Sequence, residues 1–157
     1  MNILYLITGL GGGGAEKVVV DLAMRMEKLG HQVKIAYLKG EVVVKPEIDS
    51  IELIYIGLEN LKLAKLAYNN YKNLLDRFEP DVVHAHMVHA NIFARICRKF
   101  RPIAKLICTA HSNNEGGKAR MLAYRLTHQL SEITTNVSQS ASASFERLGA
   151  VPKSGIT

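Results

Sequence analysis

Cysteine is scarce in this chain. Cys97 and Cys108 are its only two, and their spacing matches neither a metal-binding nor a redox pair. That usage suits a reducing compartment, and Cys108, inside the apolar run "LICTA", reads as a small buried thiol. Long apolar runs are missing as well. Met1-Asn2-Ile3 carries no basic leader, the opening run stops at Gly9, and no later stretch approaches the ~20 residues needed to span a bilayer. The expectation is a soluble, cytoplasmic protein, at most peripheral to the inner face of a membrane. Aromatics make up only 6% of the residues and no nucleic-acid-binding motif occurs, so nucleic acid is not expected as a partner. There is no internal repeat, low-complexity tract or domain boundary.

What is present is an alternation. Ile3 to Thr8, Gln32 to Leu38, Ile51 to Ile56, Val82 to His86, Ile103 to Ala110 and Ile133 to Val137 read as strands. Between most of them lie stretches of helical periodicity. The first places Val18, Val19, Leu22, Met26 and Leu29 on one expected apolar face and ends at Gly30, which suits a left-handed helix terminus. Others are expected from Leu61 to Phe78, Ala90 to Phe100, Lys118 to Leu130 and Ser138 to Leu148, with Pro80 and Pro102 as stops after two of them. Only "KGEVVVKPEIDS", between the second and third strands, reads as an exposed loop, although "EVVV" would also suit a short strand. The fold class that follows is α/β: an open parallel sheet with helices on both faces. At 157 residues the chain can bury a real core. Its tail turns through Val151-Pro152 and begins a new extended segment at Ile156-Thr157, which suggests a piece of a longer protein.

Gly9-Leu10-Gly11-Gly12-Gly13-Gly14 follows the first strand and opens the first helix, a literal G-x-G-x-x-G. The dinucleotide reading also wants an acidic residue at the end of the second strand, but that strand closes on Tyr37-Leu38-Lys39, with Glu41 beyond it. A nucleotide-cofactor oxidoreductase therefore remains only an alternative. A P-loop is excluded, because Ala15-Glu16 follows Gly14 where Lys and Ser or Thr are required. Glycine permits positive φ and close approach, and the free N–H groups of a helix N-terminus attract an anion or a hydroxyl. Gly12, Gly13 and Gly14 are therefore candidate ligand-binding residues. Glu16 belongs with them, its carboxylate either competing with a bound phosphate or accepting hydroxyls.

"PDVVHAHMVHAN" and "LICTAHSNN" bring His84, His86, His89 and His111 to the ends of the fourth and fifth strands. Ligands of open α/β sheets bind at the carboxyl ends of the strands. Alternation sets His84 and His86 on one side, with His84 expected deeper in the core and His86 nearer the ligand. Neither carboxylate nor cysteine lies beside these histidines to complete a familiar metal site, and no metal is expected. Ser112, next to His111, is a candidate substrate contact. It is not a hydrolytic nucleophile, because adjacent residues of an extended chain point apart and no G-x-S-x-G elbow exists.

Taken together, "GGGGAEKVVVDLA", "PDVVHAHMVHANIFARI", "ICTAHS" and "VSQSASASFERLGAVPKSGIT" resemble the amino-terminal domain of GT-B glycosyltransferases of the large retaining family four. The resemblance implies a Rossmann-like, acceptor-side domain facing a second, donor-binding domain that would follow Thr157. It implies sugar transfer with retention from a nucleotide-sugar donor to a glycan or lipid-linked acceptor, as in cell-envelope polysaccharide synthesis, without an essential metal or other cofactor. On the same basis Gly13 and Gly14 would approach the donor diphosphate or the acceptor. His111 would act beside the transferred sugar as the catalytic residue, His86 would line the acceptor side, and Ser138 would cap the last helix and face the cleft. Residues 1–157 alone would be inactive.

The net charge is +6. Positive residues gather at Lys62, Lys65 and Lys72, at Arg95, Arg98, Lys99 and Arg101, and at Lys118, Arg120 and Arg125. The first group shares a helix with Leu61, Leu66, Leu74 and Leu75, which suits either a solvated face above a buried stripe or peripheral contact with anionic membrane. A noncatalytic basic binding module is the third functional alternative.

Overall fold

A computed structural model describes residues 1–111 and 117–157. Six strands, β1 (Asn2–Ile7), β2 (Gln32–Tyr37), β3 (Glu52–Tyr55), β4 (Val82–His86), β5 (Leu106–Ala110) and β6 (Ile133–Asn136), form one parallel sheet in the order β3-β2-β1-β4-β5-β6. The helices are α1 (Gly14–Lys28), α2 (Ala64–Phe78), α3 (Val88–Phe100), α4 (Gly117–Thr127) and α5 (Gln139–Arg147). Short 3-10 turns precede α2 and follow α4. The expected α/β class and helices on both faces are therefore present. Residues 38–51 form the expected loop between β2 and β3, and "EVVV" adds no strand; the amides of Val43 and Val44 both donate to the Leu10 carbonyl.

Strand β1 is buried on both sides, which is why it reads as a continuous apolar run. Ile3, Tyr5 and Ile7 pack with Val33 and Ile35 beneath Val19, Val20 and Ala23 of α1. Leu4 and Leu6, pointing the other way, join Val83, Ala85, Leu106 and Cys108 under α2 and α3. A third cluster joins Ala110 to Met121 and Tyr124 of α4 and Phe145 of α5. Gly30 takes φ 90° after α1, and the amides of Gly30 and His31 donate to the Glu27 and Met26 carbonyls, closing a Schellman motif. Helix α2 ends at Glu79 in the left-handed region, φ 49°, one residue before Pro80.

One packing expectation needs correction. The buried face of α1 is Val19, Val20 and Ala23, while Val18 and Leu29 are exposed; the stripe is rotated because Val18 turns toward the carboxyl edge of the sheet. Arg95, grouped in the sequence with Arg98, Lys99 and Arg101, stands apart from them as fully buried, its Nη1 donating to the Tyr124 carbonyl and Thr127 Oγ1 and its Nη2 to Thr134 Oγ1. Its guanidinium carbon lies 5.2 Å from the Tyr124 ring centroid, and among the described residues no carboxylate pairs with it. The neighbouring Arg98 does reach solvent and pairs with Glu132.

Arg95 fastens α3 to α4 and β6, and Ala at this position removes a large buried side chain and three donors together. Arg95→Ala is expected to destabilise the domain by roughly 3 kcal/mol, a fall of about 6–12 °C in the thermal midpoint followed by circular dichroism. Arg95→Lys should not restore it, because a single ammonium cannot span the same three acceptors.

Candidate functional site

Strand order reverses between β1 and β4. From β1 the chain crosses to β2, and from β4 it crosses the opposite way to β5, so the N-termini of α1 and α3 flank one gap at the carboxyl edge of the sheet. The register sets Ile7 level with His86, and His86 level with Thr109, so β1, β4 and β5 deliver their following residues to the same level. A cleft of about 730 Å³ opens there, lined by Gly13, Gly14, Ala15, Glu16 and Val18 from α1 and its entry, Met87, Val88 and His89 from α3 and its entry, His111 after β5, and Arg120 of α4.

The glycine loop is held at one point and bare elsewhere. Leu10 is fully buried beside Ile7 and Val19 and anchors the arch. None of Gly9, Gly11, Gly12, Gly13 or Gly14 adopts positive φ, which overturns the conformational half of the expectation. What glycine supplies here is room. A Cβ on Gly9 would lie 3.1 Å from the Lys39 carbonyl oxygen, and one on Gly13 would lie 2.5 Å from Glu16 Oε2, whereas Gly12 and Gly14 face open space. Gly13 is the N-cap of α1 and offers no side-chain cap. Glu16, in the first turn, folds its carboxylate back over the loop, where it complements the positive end of the helix.

Opposite, Met87 enters α3 at φ 74°, ψ 159°, a backbone region that side chains rarely occupy and that costs on the order of 1–3 kcal/mol. Four hydrogen bonds around it hold it. Thr8 Oγ1 accepts from the Ala90 amide at the start of α3, the Met87 amide donates to the Thr109 carbonyl, and buried Asn91 donates from Nδ2 to that same carbonyl and to the Tyr124 hydroxyl oxygen. The end of β5, and with it His111, is thereby tied to β1, α3 and α4.

His111 Nε2 lies 2.9 Å from His86 Nδ1. Here the expected depths are reversed. His86 is almost completely buried and reaches the cleft only through His111, while His84 is partly buried and hydrogen-bonds Thr109 Oγ1 at 2.8 Å. The reason is that His111 closes over His86 at the carboxyl end of β4, their ring centroids 5.2 Å apart, whereas His84 sits further back along the strand between Tyr5 and Thr109. Burial drives His86 down to about 2 and His84 to about 4, with the neighbouring imidazoles adding to the effect, so both are neutral at pH 7. His111 is lowered by burial too, against the opposing pull of Glu16. With both rings neutral, one donates and the other accepts, and the contact fixes the orientation of His111.

Of the remaining candidates, Gly12 borders the arch without lining the cleft, and Ser112 lies outside the described residues. Ser138 is the N-cap of α5, accepting from the Ala141 amide at 3.2 Å; its capping role holds, and it does not line the cleft. Sequence reasoning missed Met87, Val88, Arg120 and Asn91 as parts of this site. Among the described residues no group of three His, Cys, Asp or Glu side chains is arranged to hold a metal ion, and no helix is long and apolar enough to cross a membrane.

Residues 12–157 match the family model for glycosyltransferase family 4, and the chain belongs to that family. Its architecture is that of the amino-terminal domain of a GT-B glycosyltransferase. Similar solved structures include Anabaena HepE in complex with UDP (17% identity, TM-score 0.71, covering 95% of this chain and 41% of that one). Sucrose-phosphate synthase from Thermosynechococcus elongatus is similar at 14% identity and TM-score 0.74, with 94% of this chain and 45% of that one covered. The lipopolysaccharide outer core galactosyltransferase WaaB in its apo form matches at 16% identity and TM-score 0.71 over 100% of this chain and 44% of that one. The chain thus spans less than half the length of each. No curated protein matches it.

The buried histidines make stability pH-dependent. Because the unfolded chain takes up protons near pH 6.5 that the native His84 and His86 refuse, their contribution is complete above that pH and declines below it, by up to about 1.4 kcal/mol per pH unit for each. His84 continues to drain stability down to about pH 4 and His86 further. Thermal midpoints measured from pH 7 to pH 4 should fall, and the double variant His84→Gln/His86→Gln should show the flatter profile whatever its absolute stability.

Proposed function

We propose that this chain is the acceptor-side half of a retaining glycosyltransferase that moves a sugar from a nucleotide-sugar donor to a glycan or lipid-linked acceptor. A second, donor-binding domain would face the cleft and carry the groups that grip the nucleotide. The observation that carries the reading is His111, set on the cleft by buried His86 and flanked by the N-termini of α1 and α3. A neutral imidazole there can hydrogen-bond a hydroxyl of the transferred sugar or steady positive charge developing at its anomeric carbon. The amides opening α1, with no side-chain cap on Gly13 in their way, suit diphosphate oxygens or an acceptor hydroxyl. Glu16 favours the hydroxyl on its own side, since its charge opposes a phosphate placed directly upon it.

Two of the neighbours named above fit this reading, one holding UDP and one a lipopolysaccharide outer core galactosyltransferase, so a cell-envelope glycan is the proposed product class. Work at the cytoplasmic side of a membrane, without a metal or organic cofactor in this half, is part of the same proposal. The oxidoreductase alternative loses its support at β2, which ends in Tyr37 and is followed by Leu38 and Lys39, with no acidic residue for a ribose.

In the enzyme that joins this chain to its donor domain, His111→Ala is expected to lower kcat by roughly tenfold or more with little change in thermal midpoint. Gly14→Leu should also abolish most turnover while leaving the fold intact, because its side chain enters open cleft and meets no backbone strain. Steady-state kinetics beside thermal unfolding tests both. Full activity in either variant removes that residue from the site.

A further inference from the structure

Next to the cleft, and sharing His89 with it, lies a second concavity of about 450 Å³ between the start of α2 and the outer face of α3. Leu61, Tyr68, Phe93, Ile96 and Phe100 form its walls, and almost no polar surface is offered to an occupant. Several of these side chains stand in water: Leu61 is 88% exposed, Phe100 71% and Ile96 44%. Such a surface costs a folded chain solubility and needs an occupant to explain it. The groove is also set in a cationic frame. Lys62 in the 3-10 turn before α2, Lys65 on α2 and Lys99 on α3 are exposed around it, and Lys39 and Arg120 line the concavities that share His89, where groove and cleft meet.

We propose that this groove holds the hydrocarbon tail of a lipid-linked acceptor, whose anionic phosphate lies at the His89 junction and whose sugar or hydroxyl terminus reaches into the cleft beside His111. Continuity through His89 is what selects this occupant: an amphiphile threaded from groove to cleft passes from an apolar wall, through a positive mouth, to hydrogen-bonding groups, in the order of its own chemistry. The assignment rests on the sugar-transfer reading of the cleft and chooses, between its two acceptor classes, the lipid-linked one. It also gives the exposed Leu61 and the flanking lysines a common purpose, with the tail's apolar and phosphate ends each meeting a matching surface.

The test is calorimetric titration of the chain with monomeric butyl, octyl and decyl phosphate below their micelle concentrations. Burial of each methylene strengthens association by about fourfold, so decyl phosphate is expected to bind roughly fifteenfold more tightly than octyl phosphate, with butyl phosphate weakest. Phe100→Asp and Leu61→Asp alter largely exposed positions on the groove, and each should weaken decyl phosphate at least tenfold. Leu126→Asp, equally exposed but on α4, should not. Affinity independent of tail length, or wild-type affinity in both groove variants, overturns the proposal. So does association with phosphatidylglycerol vesicles without affinity for the monomeric phosphates, which would make the groove a bilayer-adhesion face, or a dimer that Phe100→Asp converts to monomer, which would make it a self-association face. No donor is present and no turnover is read, so failure here leaves sugar transfer to a tailless glycan standing, whereas the turnover test on His111 bears on transfer itself.

Discussion

The reversal of strand order between β1 and β4 is the constraint from which the site follows. Every strand in this sheet is parallel, so each crossover must bring the chain back to the amino-terminal edge, and right-handed crossovers in opposite directions place α1 on one face and α2 and α3 on the other. At the reversal the two departing segments cannot cover each other. They leave a gap into which helix N-termini point, with one wall kept bare of side chains by a run of glycines and Met87 held in a region meant for glycine on the other. Thr8 bridges the gap by capping α3 from the end of β1, so the two walls are registered to each other through a single buried hydroxyl.

Polar burial in this domain is concentrated on the β4–β6 side and serves the same end. His84 to Thr109 to Thr135 forms a hydrogen-bonded chain along one face, while Asn91 and Arg95 tie α3 to β5, β6 and α4 on the other. Each such group must recover the hydration it gives up, so these contacts tolerate little displacement. An apolar core would have let α4 and the end of β5 slide. The result is a rigid mount for His111, with His86 beneath it kept neutral by burial. Beside that mount, the apolar groove under Leu61 and Phe100 carries little polar ordering, as suits a surface that contacts a flexible tail.

Much of this was legible in the sequence because the governing patterns are local. Apolar runs bounded by glycine and proline marked the strands, Gly30 marked the end of α1, and "GGGGAE" and His111 fell at strand ends where a parallel sheet binds ligands. The misreadings share one cause, which is that depth is a tertiary property. Period-two alternation put His84 and His86 on one face but could not say which the incoming segments would cover. Helical periodicity located α1 yet could not orient Val18, whose exposure follows from the cleft. Arg95 looked like its neighbours Arg98 and Lys99 until the acceptors on α4 and β6, about thirty to forty residues on, were brought to it. Asn91 and Met87 carried no signal of their own: a buried asparagine is recognised by the carbonyl it meets, and strain by the contacts that enforce it.

We place sugar transfer in the gap between β1 and β4, where His111 lines the cleft. Histidine-selective nitrogen-15 spectra of the full-length enzyme, recorded as nucleotide-sugar donor is added, test it most directly. The resonances of His111 and His89, both on the cleft, are expected to move with donor concentration, while His31, at the opposite edge of the sheet beside the start of β2, stays fixed. Saturation of the enzyme with donor while His111 and His89 remain unmoved would contradict it.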